Sequence, residues 1–162
     1  MIKTMVLGFM FSEKKTRVVL IQKQKPEWQK GYLNGVGGKK EEGESPFYAM
    51  VREFKEETTI QYDQWKHCIT FKCNEGTVFV YKGELPFREL KDIDCHTCEN
   101  GEIIEVCKVD DLRNNFLDAE PLSNLYWMIP LLLDNIKFPI ELTYNSSGGC
   151  RQKAEFIKKE EE

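Results

Sequence analysis

The sequence predicts an α/β fold in which a mixed β-sheet lies between helices, and three observations predict it. Short segments of strand composition recur between Thr4 and Tyr144. Ser45-Pro46 opens one helical segment. A second helical segment follows Ser123, with apolar residues at helical spacing. The order is hairpin, loop, helix, several strands, helix, hairpin, so the helices interrupt the strand series and can cover both faces of one sheet.

Thr4 to Phe11 and Arg17 to Gln22 read as strands joined by a turn at Ser12 to Thr16. Lys23 to Lys30 is polar, carries Pro26 and Trp28, and reads as a loop. Tyr32 to Gly38 (YLNGVGG) is glycine-rich, and its backbone N–H groups can reach phosphates where a Cβ would block the approach. Ser45 can cap a helix whose first residue is Pro46. In that helix Phe47, Val51 and Phe54 form an apolar stripe at i, i+4 and i+7, and Arg52, Glu53, Glu56 and Glu57 are expected on the opposite, charged side.

Gln61 to Lys66 is a connector, and His67 to Cys73 and Thr77 to Gly83 are strands around the turn Asn74-Glu75-Gly76. Pro86 to Asn100 reads as a loop and Glu102 to Val109 as a strand, after which Val109 to Leu112 turns away. Between Ser123 and Asp134, Leu125, Met128, Ile129, Leu132 and Leu133 keep helical spacing, with Pro130 expected close to the helix start. Phe138 to Tyr144 is a strand, Asn145 to Gly149 a turn, and Lys153 to Ile157 the returning strand. Residues 1–157 are thus expected to form a single domain, with 158–162 a frayed, charged tail.

A chain of 162 residues is of single-domain size, and 41% hydrophobic with 12% aromatic residues argues against disorder. The formal charge of −4 provides no basic footprint for long nucleic acid. A small phosphorylated substrate that arrives with a divalent cation suits this balance better. No apolar run reaches transmembrane length, so no membrane partner is expected. The opening residues 1–11 meet Ser12-Glu13-Lys14-Lys15 without a cleavage site, so the six cysteines are expected as free thiols in a cytoplasmic protein. Cys95-His96-Thr97-Cys98 has no second pair at zinc-site spacing.

The stretch from Gly38 to Ile60 concentrates the chemistry. Glu53 and Glu56 are three apart and Glu53 and Glu57 four apart, so their Cβ atoms lie roughly 5–6 Å from one another on neighbouring helical turns. Like charges so placed repel unless a cation lies between them, and Mg²⁺ takes oxygen ligands while leaving room for phosphates. A solvated acidic face, with Arg52 paired to Glu56, is the alternative.

Gly38, Glu44, then Arg52-Glu53-Phe54-Lys55-Glu56-Glu57 and Ile60 closely resemble the Nudix box, G-x5-E-x7-R-E-U-x-E-E-x-G-U, where U is a bulky apolar residue. The departure is Thr59, which stands where the family has its second glycine. The resemblance implies the Nudix fold, an α/β/α sandwich with a mixed sheet, and a hydrolase acting on phosphoanhydride bonds. It implies Mg²⁺, with Mn²⁺ an alternative, held by Glu53, Glu56, Glu57 and Gly37. Arg52 would orient the carboxylates, Glu53 would serve as ligand or base, and Glu44 would be structural or peripheral. Glu102, entering a strand after Gly101, aligns with a further base used by some family members; as an ordinary loop residue it would be solvated.

The runs 33–39 and 124–133 are similar to those of the MutT-like branch that hydrolyses oxidised purine nucleoside triphosphates. By that resemblance Asn34 reads the base, and Lys23, Gly38, Lys39, Asn124 and Trp127 are further candidate substrate contacts. Trp127 has a competing place in the core. The expected activity is cleavage of a nucleoside triphosphate, among them an oxidised purine dNTP, to monophosphate and pyrophosphate, by a monomer or homodimer. Hydrolysis of ADP-ribose, NADH or dinucleoside polyphosphates is the alternative, and a non-catalytic nucleotide-binding module is a third. Marks of the second class beyond the box are lacking, where Thr77 and Val78 stand.

Overall fold

The computed structural model describes residues 2–145 and 153–157. Among them a mixed sheet forms the middle of three layers. Its strands are β1 (Lys3–Ser12), β2 (Arg17–Gln22), β3 (Leu33–Asn34) and β4 (Val36–Lys39), then, after helix α1 (Pro46–Thr58), β5 (Lys66–Cys73) and β6 (Gly76–Leu85). Helix α2 (Phe87–Leu90), strand β7 (Ile103–Lys108), helices α3 (Val109–Arg113) and α4 (Leu125–Leu133), and strands β8 (Ile140–Asn145) and β9 (Lys153–Ile157) follow. The strand order is β3-β2-β1-β6-β5-β8-β9, with β4 also on β1 and β7 also on β2.

The strand β1 organises the sheet. It runs parallel to β6 along its whole length, and its other edge is divided between β4, paired at Met5 to Gly8, and β2, paired at Met10 and Phe11. Side chains alternate across a strand, so Phe9 and Phe11 face one apolar cluster while Val6 and Met10 face another. Helix α4 contributes Leu125, Met128, Ile129 and Leu132 to the first cluster; α1 contributes Ala49, Met50 and Phe54 to the second. This is the expected α/β/α sandwich. Gly8 lets α1 approach closely, since a Cβ there would stand 2.6 Å from Cε of Met50.

Several local expectations change. The glycine-rich run 32–38, for which no strand was expected, contributes to the short strands β3 and β4, because β1 and β2 offer open edges for their backbone groups. Residues 86–100, read as a loop, contain α2, a single 3-10 turn at Lys91–Ile93 and an arm paired to 102–104 through Cys95 N–H to Ile104 O and Cys98 N–H to Glu102 O. The turn at Val109 is the helix α3. Pro130 lies inside α4 and past its middle, not near its start. The turn expected at 145–149 begins on the last residue of β8 and otherwise lies, like the tail 158–162, outside the described residues. No described helix is long and apolar enough to cross a membrane.

Candidate active site

Helix α1 starts as its sequence requires: Ser45 Oγ accepts from Tyr48 N–H, and Pro46 takes the first position. Its buried stripe is rotated from the expected one. Met50, Phe54 and Glu57 follow i, i+4 and i+7 on the inward side, while Phe47 and Val51 are half-buried. The four charged residues therefore do not share one solvated face: Glu56 is exposed, Arg52 and Glu53 are half-buried, and Glu57 is only 8% exposed.

Arg52 is the hub of the outer part. Its guanidinium donates to both Glu44 oxygens at 3.1 and 2.7 Å, to Glu53 Oε1 at 2.9 Å, to Glu56 Oε2 at 3.3 Å and to the Lys39 carbonyl at 3.1 Å. The expected Arg52–Glu56 pair is thus one contact of several, and the bidentate grip on Glu44 is the tighter. That grip holds the Glu44 carboxyl below its usual range and raises Arg52 above its own. Glu53 goes the other way: burial raises its carboxyl, against the pull of Arg52. Gly38 is what lets Glu53 lie there, for a Cβ at 38 would stand 2.5 Å from Glu53 Oε1.

The inner part holds Glu57 within the electrostatic reach of the Glu102–Lys23 ion pair. Glu102 is 2% exposed, which corrects the solvated-loop reading: Lys23 Nζ meets its Oε1 at 2.9 Å, Gln24 N–H donates to the same oxygen, and Asn100 Nδ2 donates to Oε2. Oε2 of Glu57 has no hydrogen-bond partner and is buried. Burial, followed by the charge of Glu102, pushes the Glu57 carboxyl up to about 7, and Lys23 opposes the shift. Cys98 closes this side, its thiol donating to the Glu57 carbonyl at 3.4 Å while Cys95 of the same arm is exposed. The thiol of Cys98 is pushed up to about 11, chiefly by burial. Among the described residues no three His, Cys, Asp or Glu side chains converge as a coordination cluster; Glu53 and Glu56 are turned onto Arg52.

Asn34 lies on β3 with its Oδ1 accepting from Gly35 N–H at 2.8 Å and its Nδ2 donating to Gln29 Oε1 at 3.4 Å. Lys39 is exposed at the end of β4, next to Arg52 through its carbonyl, and Gly37 is pressed against the Val6 carbonyl. Asn124 heads α4, and Trp127 packs partly buried against the cluster on the α4 face, across the sheet from α1. The stretch before α4 nevertheless reaches β3, where Leu33 N–H donates to Glu120 O and Leu122 N–H to Leu33 O. Sequence reasoning missed Gln29, Gln24, Asn100 and Cys98, because each acts through a partner distant in the chain or through loop geometry.

The chain matches the family model of the NUDIX domain over residues 1–126. Among curated proteins none matches. Solved structures of similar fold include a mMutator MutT protein from Bacillus halodurans, 18% identical with a TM-score of 0.68, covering 94% of this chain and 97% of that one. A MutT structure described for Aliivibrio salmonicida and Vibrio cholerae is 20% identical with a TM-score of 0.62, covering 82% and 98%. The NUDIX domain of Shewanella oneidensis NrtR, solved with ADP ribose, is 14% identical with a TM-score of 0.65, covering 82% and 87%. At these identities the likeness is one of fold. The family model, in contrast, spans most of the sequence and contains the acidic helix, so the chain belongs to the NUDIX domain family.

Proposed function

We propose that the protein hydrolyses a nucleoside triphosphate to nucleoside monophosphate and pyrophosphate, with Mg²⁺ or alternatively Mn²⁺ as cofactor. The observation that carries this reading is Glu57, whose buried Oε2 lacks a partner. An unpaired buried polar group costs about 1–3 kcal/mol, so a site that keeps one has a use for it. An all-carboxylate donor set suits a hard divalent cation, the cofactor class that Nudix hydrolases use.

Glu57, Glu53 and Glu56 would hold the cation, with the Gly37 carbonyl as a further donor. Once bound, such an ion supplies charge neutralisation at the phosphoanhydride oxygens and acidifies water. Arg52 meanwhile restrains Glu53 and Glu56 beside the reacting phosphate. Glu53, its carboxyl raised by burial, and Glu102 are the two candidate proton acceptors, and each has one cationic partner, Arg52 at 2.9 Å and Lys23 at 2.9 Å respectively. Lys39, Gly38 and Lys23 would meet phosphate oxygens; Asn34 would read the base, and Asn124 and Trp127 would add contacts from the far segment.

MutT proteins among the similar folds support the triphosphate reading, and an oxidised purine dNTP belongs among the substrates. Hydrolysis of ADP-ribose, NADH or dinucleoside polyphosphates is the second reading, favoured by likeness to the NrtR domain solved with ADP ribose. The intact acidic set disfavours a module that only binds. The thiols of Cys68, Cys73, Cys95, Cys98 and Cys107 are unpaired, in keeping with a cytoplasmic setting.

The test is a panel of ordinary and oxidised NTPs and dNTPs, ADP-ribose, NADH and dinucleoside polyphosphates with Mg²⁺, read by separating the products. Pyrophosphate and a monophosphate are expected; orthophosphate, or turnover confined to ADP-ribose, overturns the reading. Glu57→Gln is expected to lower the rate roughly a hundredfold or more while the protein stays folded.

A further inference from the structure

We infer that Gln29 is a positioning residue for base discrimination: its side chain sets which way the Asn34 amide faces. The inference rests on the proposed role of Asn34 and goes beyond it by assigning a partner. The loop between β2 and β3 is tied at both ends, Lys23 N–H donating to Tyr32 O and Gly31 N–H to Lys23 O. From Lys25 to Tyr32 every residue is exposed except Gln29. A 3-10 turn at Glu27–Gln29 puts that one side chain inward, with Gln29 N–H on the Pro26 carbonyl and Tyr32 N–H on the Gln29 carbonyl. The inward side chain meets Asn34.

Donor and acceptor chemistry then decides both amides. The Gly35 N–H can only donate, so the Asn34 atom 2.8 Å from it is the carbonyl oxygen, and the amide nitrogen must face Gln29. Nδ2 in turn can only donate, so Gln29 presents Oε1. Asn34 is left with one N–H and one oxygen lone pair for a base edge, in a sense that a flip would reverse. Gly35 N–H alone opposes that flip from the oxygen side, and Gln29 opposes it from the nitrogen side. A base-reading amide whose sense is held at both ends rejects the wrong edge because polar groups would be left unpaired.

The experiment is a double-mutant cycle on base discrimination, measured as the ratio of kcat/KM between the best and the worst base in a panel of ordinary NTPs and dNTPs. Gln29→Met keeps the length but removes the acceptor, and Gln29→Glu keeps the acceptor. The expected result is that Q29M and Asn34→Ala each reduce the ratio by about fivefold or more, that the double variant is no worse than N34A, and that Q29E retains parental discrimination. Parental discrimination in Q29M with its loss in N34A overturns the role of Gln29 and leaves that of Asn34 standing. Parental discrimination in N34A itself overturns the reading of Asn34, and this inference with it. Losses that multiply in the double variant, or loss in Q29E equal to that in Q29M, also overturn positioning through Asn34.

Discussion

Gly37 and Gly38 are neighbours of the same type, yet a methyl group added to each meets something different. At 38 the Cβ would lie 2.5 Å from Oε1 and 2.6 Å from Cδ of Glu53, the free end of a side chain that can swing away. At 37 it would collide with the Val6 carbonyl, backbone of the central strand that β4 pairs with. Gly38→Ala is therefore expected to leave stability within roughly 1 kcal/mol of the parent while displacing Glu53 and lowering kcat at least about tenfold. Gly37→Ala is expected to destabilise by about 2 kcal/mol or more through the broken β1–β4 approach. Urea denaturation beside steady-state kinetics distinguishes the two; equal loss of stability in both would show that Glu53 cannot swing away from residue 38.

Helix α1 carries most of the chemistry, and its two ends are built differently. The start is conventional, while the exit places Thr59, a β-branched residue, at φ +67, with its N–H on the Lys55 carbonyl at 2.8 Å. The left-handed conformation costs a residue with a Cβ about 1–2 kcal/mol, and glycine almost nothing. Thr59, where the resembled motif has glycine, thus holds a conformation that glycine adopts freely. Thr58 Oγ1 helps to hold the exit, donating to the Phe54 carbonyl at 2.6 Å and accepting from Ile60 N–H. Thr59→Gly is expected to stabilise the protein by roughly 1 kcal/mol, after glycine's larger unfolded-state entropy is allowed for. A chemical-denaturation midpoint that falls in this variant would mean that the Thr59 side chain contributes more than its strain costs.

Across the whole molecule, the same inward-facing carboxyl that suits a cation weakens the metal-free fold. Glu57 has its pKa raised to about 7 from the ordinary 4.5, so between those pH values the folded protein holds a proton that the unfolded chain has released. Its contribution to stability is full below the unfolded pKa and is lost as pH rises through the folded one. The loss is on the order of 3 kcal/mol. Raised Glu53 acts in the same direction, and lowered Glu44 acts in the opposite one, its stabilisation present above the unfolded pKa. Unfolding free energy measured with a chelator present is expected to fall from pH 5 to pH 8, and the slope should flatten in E57Q. Millimolar Mg²⁺ should flatten it in the parent too, because a cation bound only to the folded state adds stability by mass action. A parent whose metal-free stability is flat or rises across that range would contradict the buried, unpaired state of Glu57.

The order of β1, β2, α1, β5, β6, β7, α4, β8 and β9, the capped start of α1 and the set of acidic residues were legible in the sequence, because these depend on local propensity, capping chemistry and spacing along one element, whereas the short β3, β4, α2 and α3 were not. The sequence also identified the family through the run from Gly38 to Ile60. The rotation of α1 was not legible: Phe47, Val51 and Phe54 make as good a stripe on paper as Met50, Phe54 and Glu57, and only packing on Gly8 of β1 chose between them. That choice buried Glu57 and left Glu56 in solvent. The pairing of β3 and β4 with strands distant in sequence, the ion pair that neutralises Glu102 from Lys23, and the inward turn of Gln29 were likewise decided by the tertiary structure. Each joins groups that only the folded sheet brings within hydrogen-bond distance, and no local pattern records which distant partner will satisfy a buried polar group.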